Sequence, residues 1–269
     1  MSAFEQGYAD AYDIVYRDKN YAEECAVFTK LIDRYGDGHV RKLLNLGCGT
    51  GRHDLAFHDK GYQVTGVDRS AAMLAHARTA AAERGAPIEF LEGDARTFRC
   101  GDKFDATLMM FNVLGYMPTT QDMLQALATA RHHTRPGGLF IADVWYGPAV
   151  LKDGPGSQFR EIPNGEERLL RFSSGRLDTR AQTSQIDLRV LRIAGDRVVA
   201  DTHETHLMRY FFPTEIDLAL RLSGFRLTAL QGFPEIDAPV SDGKWLCVIV
   251  ATADDAGPGL RPVADGTRA

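Results

Sequence analysis

Apolar and polar residues alternate along the first half of the chain with two periods, one typical of helices and one of strands. Apolar residues recur at helical spacing over residues 21–35, and an alanine-rich helical run begins after Ser70 and stops at Gly85. Shorter apolar segments of strand length lie between the helical runs. The predicted strands are 42–46, 62–67, 88–91, 104–110 and 139–144, and the further helices are 52–58 and 119–134. This alternation predicts βαβ units and a mainly parallel sheet.

The pattern changes after Pro148. Residues 150–165 are rich in glycine, proline and charge, which is typical of a loop. Three segments with period-two alternation then follow, separated by glycine-containing turns, and they predict a three-stranded antiparallel insert. These segments are 168–174, 182–193 and 198–212; a helix over 214–224, strands over 225–230 and 244–251, and a disordered tail from 252 are predicted after them.

Composition narrows the range of partners. The 269 residues are 44% hydrophobic and 25% charged, which is ordinary for a soluble globular protein, and no apolar run approaches the length of a membrane span. A net charge of −5 argues against a nucleic-acid-binding surface. The four cysteines are scattered, as suits a reducing compartment, and the N-terminus is too polar for a signal peptide. We therefore expect a cytoplasmic protein that binds neither nucleic acid nor membranes.

The glycine-rich stretch "LGCGTGR" joins the first predicted strand to a helix. Gly47, Gly49 and Gly51 can adopt positive φ and carry no side chain, so a ligand can lie against the backbone there. A P-loop would need G-x-x-x-x-G-K-[ST], which is absent, and a dinucleotide site would need glycine where Arg52 stands. The remaining candidate is S-adenosylmethionine, which carries a ribose, an adenine and a carboxylate.

Two acidic residues follow the next two strands. Asp68 ends the second strand, where a carboxylate can accept hydrogen bonds from both ribose hydroxyls. Asp94 lies in "LEGDA" after the third strand, where it is placed to accept from the adenine amino group, with the Ala95 amide beside it. The order and spacing of these acids favour S-adenosylmethionine.

The segments "LGCGTGRH", "VTGVDRSAAMLAHAR" and "EGDARTF" resemble the successive motifs of class I S-adenosylmethionine-dependent methyltransferases, over about residues 43–145. The resemblance implies a Rossmann-like α/β fold with a seven-stranded mixed sheet in the order 3-2-1-4-5-7-6, in which 244–251 is the antiparallel last strand. The cofactor-binding residues that it implies are Tyr21, Gly47, Cys48, Gly49, Gly51, His53, Asp68, Arg69, Met73, Asp94, Ala95 and Met110.

Two classes of methyltransferase are disfavoured. Enzymes that methylate nucleic-acid amino groups carry an Asn/Asp-Pro-Pro-aromatic tetrapeptide after strand 4, whereas this chain has "MMFNVLGYM". Metal-dependent enzymes need a carboxylate cluster beyond strands 4 and 5, where only Asp143 is found, so no metal is expected. His203 and His206 are three apart on a strand and therefore point to opposite faces, which favours structural or surface histidines over ligands.

Further segments are similar to small-molecule N-methyltransferases of antibiotic and deoxysugar pathways. These segments are "YDIVYRDKNYAEEC", "MMFNVLGYM", "DVWYGP" and "ETHLMRYFFPTEIDLAL", so the resemblance covers about residues 8–250. The best-known members dimethylate the amine of a nucleotide-linked 3-amino-deoxyhexose, and lincosamide N-methyltransferases are similar. Some amino-sugar members have histidine at the position of Tyr116 and "EPWW" in place of "DVWY", so the acceptor stays open. The implied units are an N-terminal lid and helix (1–36), a cofactor-binding core (37–148), an antiparallel insert for the acceptor or for oligomerisation (149–212), the rest of the core (213–251) and the tail (252–269).

Tyrosines are the expected catalytic residues. Tyr8, Tyr12 and Tyr16 recur every four residues and share one helix face, either as a lid over the cofactor or as a packing stripe. We expect Tyr12, Tyr16 and Tyr116 to orient the acceptor and to relay its proton to water. The expected acceptor-binding residues are Phe111, Asn112, Trp145, Tyr146 and Arg209, although packing for the pair after strand 5 and a surface role for the arginine stay open.

The sequence thus predicts methyl transfer from S-adenosylmethionine to an amine of a small polar metabolite, such as an amino sugar or a sugar-containing natural product. One alternative is an O-methyltransferase of a sugar or another natural product, which would need a stronger base than the residues expected after strands 4 and 5 provide. The other is a noncatalytic S-adenosylmethionine-binding or assembly protein. The acceptor, the number of methyl groups transferred and the choice between monomer and homo-oligomer are not predicted.

Overall fold

A computed structural model describes residues 6–254, with side chains from residue 11 onward. The Tyr8 side chain and residues 255–269 of the expected tail lie outside the described part. Within residues 6–254, no helix is long and apolar enough to cross a membrane. The four cysteines are free thiols.

The first half of the chain forms the predicted alternation of strands and helices. Its elements are α1 (Gln6–Val15), α2 (Tyr21–Tyr35), β1 (Lys42–Leu46), α3 (Arg52–His58), β2 (Gln63–Asp68), α4 (Ala71–Arg84), β3 (Glu89–Glu92), β4 (Phe104–Met109), a 3₁₀ turn η1 (Val113–Tyr116), α5 (Thr120–His133) and β5 (Thr134–Trp145). Local capping explains several boundaries. The Ser70 side chain accepts a hydrogen bond from Met73 N at the start of α4, and Gly85 ends that helix in the left-handed conformation.

The second half contributes a separate sheet and then returns to the first one. Its elements are α6 (Gly147–Asp153), β6 (Gln158–Asn164), β7 (Glu167–Asp178), β8 (Thr183–Ala194), β9 (Arg197–Arg209), α7 (Pro213–Leu222), β10 (Phe225–Gly232) and β11 (Leu246–Ala253).

The main sheet has seven strands in the order β3-β2-β1-β4-β5-β11-β10. The strands β1 to β5 pair in parallel, and β11 is antiparallel to both of its neighbours. The predicted order 3-2-1-4-5-7-6, with an antiparallel last strand, is therefore confirmed. Helices cover both faces, because Leu43 packs in the cluster that contains α2 while Leu44 packs in the cluster that contains α5 and α7.

The second sheet has four antiparallel strands in the order β6-β7-β8-β9, so the prediction of a three-stranded insert is wrong by one strand. The missed strand β6 is at the edge of this sheet and buries only Ile162 among its seven residues. Its other positions are Gln158, Phe159, Arg160, Glu161, Pro163 and Asn164, so no period-two apolar alternation reveals the strand. Charged residues and proline are common on edge strands.

Helix α1 lies between the two sheets. Val15 packs with Met73 of α4 and with Ile162, Leu169 and Leu188 of the second sheet, and this cluster also holds Tyr12 and Tyr16. The contacts bring α1 and the second sheet over the ends of β1 and β2. The carboxyl ends of the parallel strands are where ligands bind in this kind of fold.

The turn after β1 depends on the small size of Gly51. A Cβ atom there would lie 2.8 Å from Phe90 Cζ and 3.0 Å from Ala77 Cβ, and the residue has a φ of 74°. Gly85 has a similar φ of 62°, but a Cβ atom there would meet nothing within 4 Å.

We expect Gly85→Ala to lower the free energy of unfolding by ~1–2 kcal/mol, the cost of a left-handed alanine. Gly51→Ala should lower it by a further ~1–3 kcal/mol, because the new methyl group overlaps two neighbours. Urea unfolding of both variants measures the difference. Equal losses would contradict the packing argument and leave backbone strain as the whole effect.

Candidate active site

A cavity of about 990 Å³ opens at the carboxyl ends of β1, β2, β4 and β5, beneath α1 and against the second sheet. Most of the predicted site residues line it. These are Tyr12, Tyr16, Tyr21, Gly47, Cys48, Gly49, His53, Asp68, Arg69, Met73, Asp94, Ala95, Met110, Phe111, Asn112, Tyr116 and Trp145. The cavity therefore brings together residues that are far apart in the sequence.

The glycine turn forms the floor of this cavity. Gly47, Gly49 and Gly51 all have positive φ. A Cβ atom on Gly47 would lie 2.6 Å from Val113, whereas one on Gly49 would meet nothing within 4 Å. Gly47 thus permits close packing within the protein, while Gly49 leaves its backbone open to a ligand.

Asp68 is fixed at the end of β2 by backbone donors. Its Oδ2 accepts from Gly49 N at 2.9 Å and its Oδ1 accepts from Ser70 N at 2.8 Å. Burial raises the pKa of this carboxyl, and the two amide hydrogen bonds oppose that rise. The Arg69 backbone also contributes a hydrogen bond, but a carboxylate has about four lone-pair sites, so Asp68 retains acceptor capacity toward ligand hydroxyl groups.

Asp94 forms an ion pair that the sequence did not predict. The Arg96 guanidinium donates to Asp94 Oδ1 at 2.9 Å and to Oδ2 at 2.6 Å, and it also donates to Asp122 Oδ1 at 2.7 Å. These hydrogen bonds hold the pKa of Asp94 below its usual range. Asp94 therefore stays an acceptor at the position expected for an adenine amino group.

Helix α1 is attached to the glycine turn by Asp13. Its Oδ1 accepts from Thr50 Oγ1 at 2.8 Å and from Arg52 Nε at 3.0 Å. The Tyr12 and Tyr16 rings lie 4.7 Å apart by centroid, and both line the cavity. The described tyrosines of the predicted stripe therefore cover the cavity as well as packing against the second sheet.

A polar cluster lies under the start of α2. The Tyr21 ring contacts His53 at 4.8 Å between centroids, and His53 Nε2 is 2.8 Å from Glu24 Oε2, which also pairs with Lys19. The Tyr21 hydroxyl is buried and has no hydrogen-bond partner among the described residues. Burial raises the pKa of Tyr21, so its hydroxyl remains a donor. An orphaned donor that lines a cavity fits a ligand carboxylate.

The segment after β4 has an unusual backbone. Phe111 and Asn112 have φ values of 64° and 56°, although neither is glycine. Asp143 of β5 holds them by accepting from Phe111 N at 2.6 Å and from Asn112 N at 2.9 Å. Burial raises the pKa of Asp143 to about 6. This pairing positions the segment that carries Tyr116.

Comparisons with known proteins assign the family. A model described as "Methyltransferase domain" matches residues 43–138. The dTDP-3-amino-3,4,6-trideoxy-alpha-D-glucopyranose N,N-dimethyltransferase of Streptomyces venezuelae is 31% identical over 234 residues, which are 86% of this chain and 95% of that relative. The chain belongs to the S-adenosylmethionine-dependent methyltransferases. The dTDP-4-amino-2,3,4,6-tetradeoxy-D-glucose N,N-dimethyltransferase of Saccharopolyspora spinosa is 28% identical, with 87% of this chain and 91% of the relative covered.

Solved structures agree with this assignment. DesVI of Streptomyces venezuelae has a TM-score of 0.75 at 28% identity, covering 91% of this methyltransferase and 99% of DesVI. The S-adenosylmethionine-bound amino pentose methyltransferase CalS10 of Micromonospora echinaspora has a TM-score of 0.72 at 26% identity, covering 94% of this chain and 99% of CalS10. S-Adenosylmethionine is thus the cofactor, and the chain is an enzyme. The alternative of a noncatalytic binding protein has no support.

Three observations support S-adenosylmethionine as the ligand of this cavity. The Gly49 backbone is open, Asp68 retains acceptor capacity, and the Tyr21 hydroxyl lacks a partner. Metal ligands show no comparable grouping: among residues 11–254, no three His, Cys, Asp or Glu side chains are placed to hold a metal ion.

His206 is a cavity residue of this methyltransferase that the sequence reading missed. The predicted opposite orientations of His203 and His206 are found, since His203 is exposed and His206 is buried. His206 is not a plain structural histidine, however, because it lines the cavity and its Nδ1 is 3.0 Å from the Tyr116 hydroxyl. The period-two pattern gave the two faces of β9 but not which face meets the cavity.

Three predicted site residues do not line the cavity of the methyltransferase. Gly51 packs against Phe90, and Tyr146 packs against the core beneath β5. Arg209 is 5% exposed, pairs with Glu215 and donates to the Pro118 carbonyl at 3.2 Å, so it is neither a surface arginine nor turned toward an acceptor.

Arg171 of β7 lines the cavity instead of Arg209. Its Nε is buried and has no hydrogen-bond partner among the described residues. The second sheet therefore places an arginine in the cavity wall, but on β7 and not at the predicted position, Arg209.

We expect Asp68→Ala to weaken S-adenosylmethionine binding by on the order of 100-fold or more. Two hydroxyl groups that donate to one carboxylate contribute ~1.5–3 kcal/mol each, and both hydrogen bonds are lost. Isothermal titration calorimetry measures the change. Asp105→Ala is the matched control, because Asp105 also accepts two backbone N–H groups, from Arg41 and Lys42, but lies at the opposite end of the strands. Unchanged affinity in folded Asp68→Ala would falsify the ribose assignment.

Proposed function

We propose that this enzyme transfers a methyl group from S-adenosylmethionine to the nitrogen of an amino sugar, either free, nucleotide-linked or part of a larger antibiotic-type natural product. The observation that carries the proposal is the acceptor side of the cavity, where aromatic hydroxyls and an arginine face the space beyond the cofactor residues. Its walls are Tyr12, Tyr16, Tyr116, Trp145, Arg171 and His206. Relatives that cover most of the chain are named as dTDP-amino-sugar N,N-dimethyltransferases, which supports the same acceptor class.

The cofactor is assigned to the half of the cavity around the glycine turn. Gly49 offers its backbone, Asp68 accepts from the ribose, Asp94 and the Ala95 amide take the adenine, and Tyr21 donates to the carboxylate. When bound, S-adenosylmethionine supplies a sulfonium methyl group, which bonds to the acceptor lone pair as the S–CH₃ bond breaks and its electrons stay on sulfur. The protein must hold the acceptor in line with that methyl group and exclude water.

The tyrosines position the acceptor. Burial raises the pKa of Tyr116, so its hydroxyl is protonated at neutral pH and does not act as a strong base. Together with Tyr12 and Tyr16 it provides hydrogen-bond partners for an amine and its neighbouring hydroxyls, and α1 excludes water from above. Phe111, Asn112 and Trp145 complete the wall next to the site of transfer.

The positive charge of Arg171 also bears on which acceptor the cavity favours. Its guanidinium lines the acceptor side, and Arg69 lines the cavity between this wall and the end of β2. Two positive groups favour an acceptor that carries negative charge, such as a nucleotide diphosphate. Asp94 and Asp122 on the cofactor side are already paired with Arg96, whereas the Nε of Arg171 has no hydrogen-bond partner among the described residues.

O-methylation is the second candidate, and the Tyr116–His206 pair is the observation that favours it. A hydroxyl acceptor needs a general base to take its proton, whereas a neutral amine already offers a lone pair. His206, next to Tyr116, is a residue type that can serve as such a base. The names of the relatives favour nitrogen.

The proposal also covers the partners and the cellular location of the enzyme. We assign it a small-molecule acceptor, no nucleic-acid or membrane partner and a cytoplasmic location, from the acidic composition and the scattered cysteines. The second sheet is assigned to the acceptor side, since β7, β8 and β9 all line the cavity.

The added methyl group is expected on nitrogen, and turnover is expected to rise with pH. An alkyl amine has a pKa of ~10, so only ~0.1% is neutral at pH 7, and the neutral fraction grows about tenfold per pH unit until that pKa is approached. Incubation with dTDP-linked 3-amino sugars, followed by NMR of the product, locates the methyl group. Initial rates at saturating S-adenosylmethionine from pH 6.5 to 9 give the profile. A methyl group on oxygen would refute the proposal and select the second candidate.

Tyr116→Phe is expected to lower kcat by ~10–100-fold while S-adenosylmethionine affinity changes by less than twofold. The substitution removes only the hydroxyl. A positioned proton-transfer group typically raises the reaction rate by ~10²–10⁴-fold, and a group that only orients the acceptor is expected near the low end of that range. Steady-state kinetics and calorimetry measure the two quantities. Tyr62→Phe is the control, because Tyr62 packs against Phe57 and directly precedes β2, at the end of the strands opposite the cavity. A kcat equal to that of the wild type would leave Tyr116 with a packing role only.

A further inference from the structure

His206 and Tyr116 form a hydrogen-bonded pair on the acceptor side of the cavity. His206 lies on β9 and Tyr116 on η1, and the Nδ1–hydroxyl distance is 3.0 Å. Their rings are nearly perpendicular, at 73°, with centroids 5.8 Å apart. The short Nδ1–hydroxyl distance and the steep angle between the rings make this contact a hydrogen bond and not a stacking contact.

Glu204 approaches the other side of the same imidazole. Glu204 Oε2 lies 3.9 Å from His206 Nε2, and each of the two residues is 6% exposed. A carboxylate facing one ring nitrogen favours the tautomer that carries its hydrogen on that nitrogen. With the hydrogen on Nε2, Nδ1 has a lone pair and can only accept.

The surroundings keep His206 neutral. Burial and the positive charges of Arg171 and Arg69 lower its pKa to about 4, so at pH 7 the ring has one donor and one acceptor nitrogen. The charged and titratable groups that face the pair come from several elements. They are Glu204 on β9, Arg171 on β7, Arg69 after β2, Tyr16 on α1 and Asp68 at the end of β2.

The tautomer decides how Tyr116 meets an acceptor. A hydroxyl has one hydrogen and two lone pairs. Because Nδ1 accepts that hydrogen, the Tyr116 oxygen can act toward the cavity only as an acceptor. An acceptor N–H can then donate to Tyr116, which directs the nitrogen lone pair away from Tyr116. A Tyr116 hydrogen that pointed into the cavity would instead bind the nitrogen lone pair needed for methyl transfer.

We propose that His206 is a positioning residue for methyl transfer: in the Nε2–H tautomer, which the nearby Glu204 carboxylate favours, it accepts the Tyr116 hydrogen and makes Tyr116 an acceptor toward the substrate N–H. This inference rests on the proposed role of Tyr116 in orienting the acceptor. It adds Glu204 and His206, both from the second sheet, to the residues that control the reaction.

A double-mutant cycle tests the coupling. His206→Leu should lower kcat by ~10–100-fold with S-adenosylmethionine affinity within twofold, and adding it to Tyr116→Phe should lower kcat by less than a further twofold. His206→Asn should recover at least tenfold of the Leu loss, because the amide oxygen can take the place of Nδ1 as an acceptor. His203→Leu, on the exposed face of the same strand, is the control and should match the wild type. Additive losses in the double variant, or no recovery with Asn, would overturn the proposal.

A measurement without any acceptor separates this inference from the proposed function. Long-range ¹H–¹⁵N NMR of histidine-labelled enzyme at pH 7, with His206→Asn for assignment, reports the tautomer. We expect Nε2–H for His206 and a shift of its Nδ1 resonance in Tyr116→Phe. A hydrogen on Nδ1 would refute the positioning role whichever acceptor is used. Failure of the wild type to methylate any amino sugar, with the expected tautomer present, would instead count against the proposed function.

Discussion

The Asp68 carboxylate joins the turn after β1 to the start of α4, and the cavity is organised around that junction. Its two oxygens accept from Gly49 N and Ser70 N, so the end of one strand sets the position of two neighbouring segments. Glycine is required at two positions of this turn. A side chain at Gly47 would overlap Val113, and a side chain at Gly49 would fill the open space above its backbone. The binding surface for the cofactor is therefore a direct result of backbone hydrogen bonding at strand ends.

The other half of the cavity has a different origin. Its walls come from the segment after β4, from the end of β5 and from the second sheet, which meet only in the folded protein. Asp143 stabilises the positive-φ backbone at Phe111 and Asn112, and Val15 packs α1 against α4 and the second sheet. The enzyme thus combines a cofactor half set by local sequence with an acceptor half set by tertiary packing.

This division explains how far the sequence could be used for prediction. The glycine turn follows β1, and Asp68 and Asp94 follow β2 and β3, so local patterns predict this side of the cavity. The strand order and the remaining cofactor residues were implied by the family resemblance, not by these patterns. Alternation on β7 and β9 identifies two faces but not the face that meets the cavity. The pattern therefore does not distinguish Arg171, which lines the site, from Arg209, and it does not reveal that His206 faces the cavity. The edge strand β6 was missed because its single buried residue leaves no apolar pattern.

The attachment of α1 to the glycine turn has a consequence for the catalytic cycle. Asp13 bonds to both Thr50 and Arg52 and so holds α1 over the cofactor side of the cavity. Release of spent cofactor along this side requires those contacts to break, and lid opening is a slow step in many enzymes. An acceptor nitrogen that receives two methyl groups needs one such exchange between transfers. For such an acceptor, the time that α1 takes to open would compete with the time for which the monomethylated product stays bound.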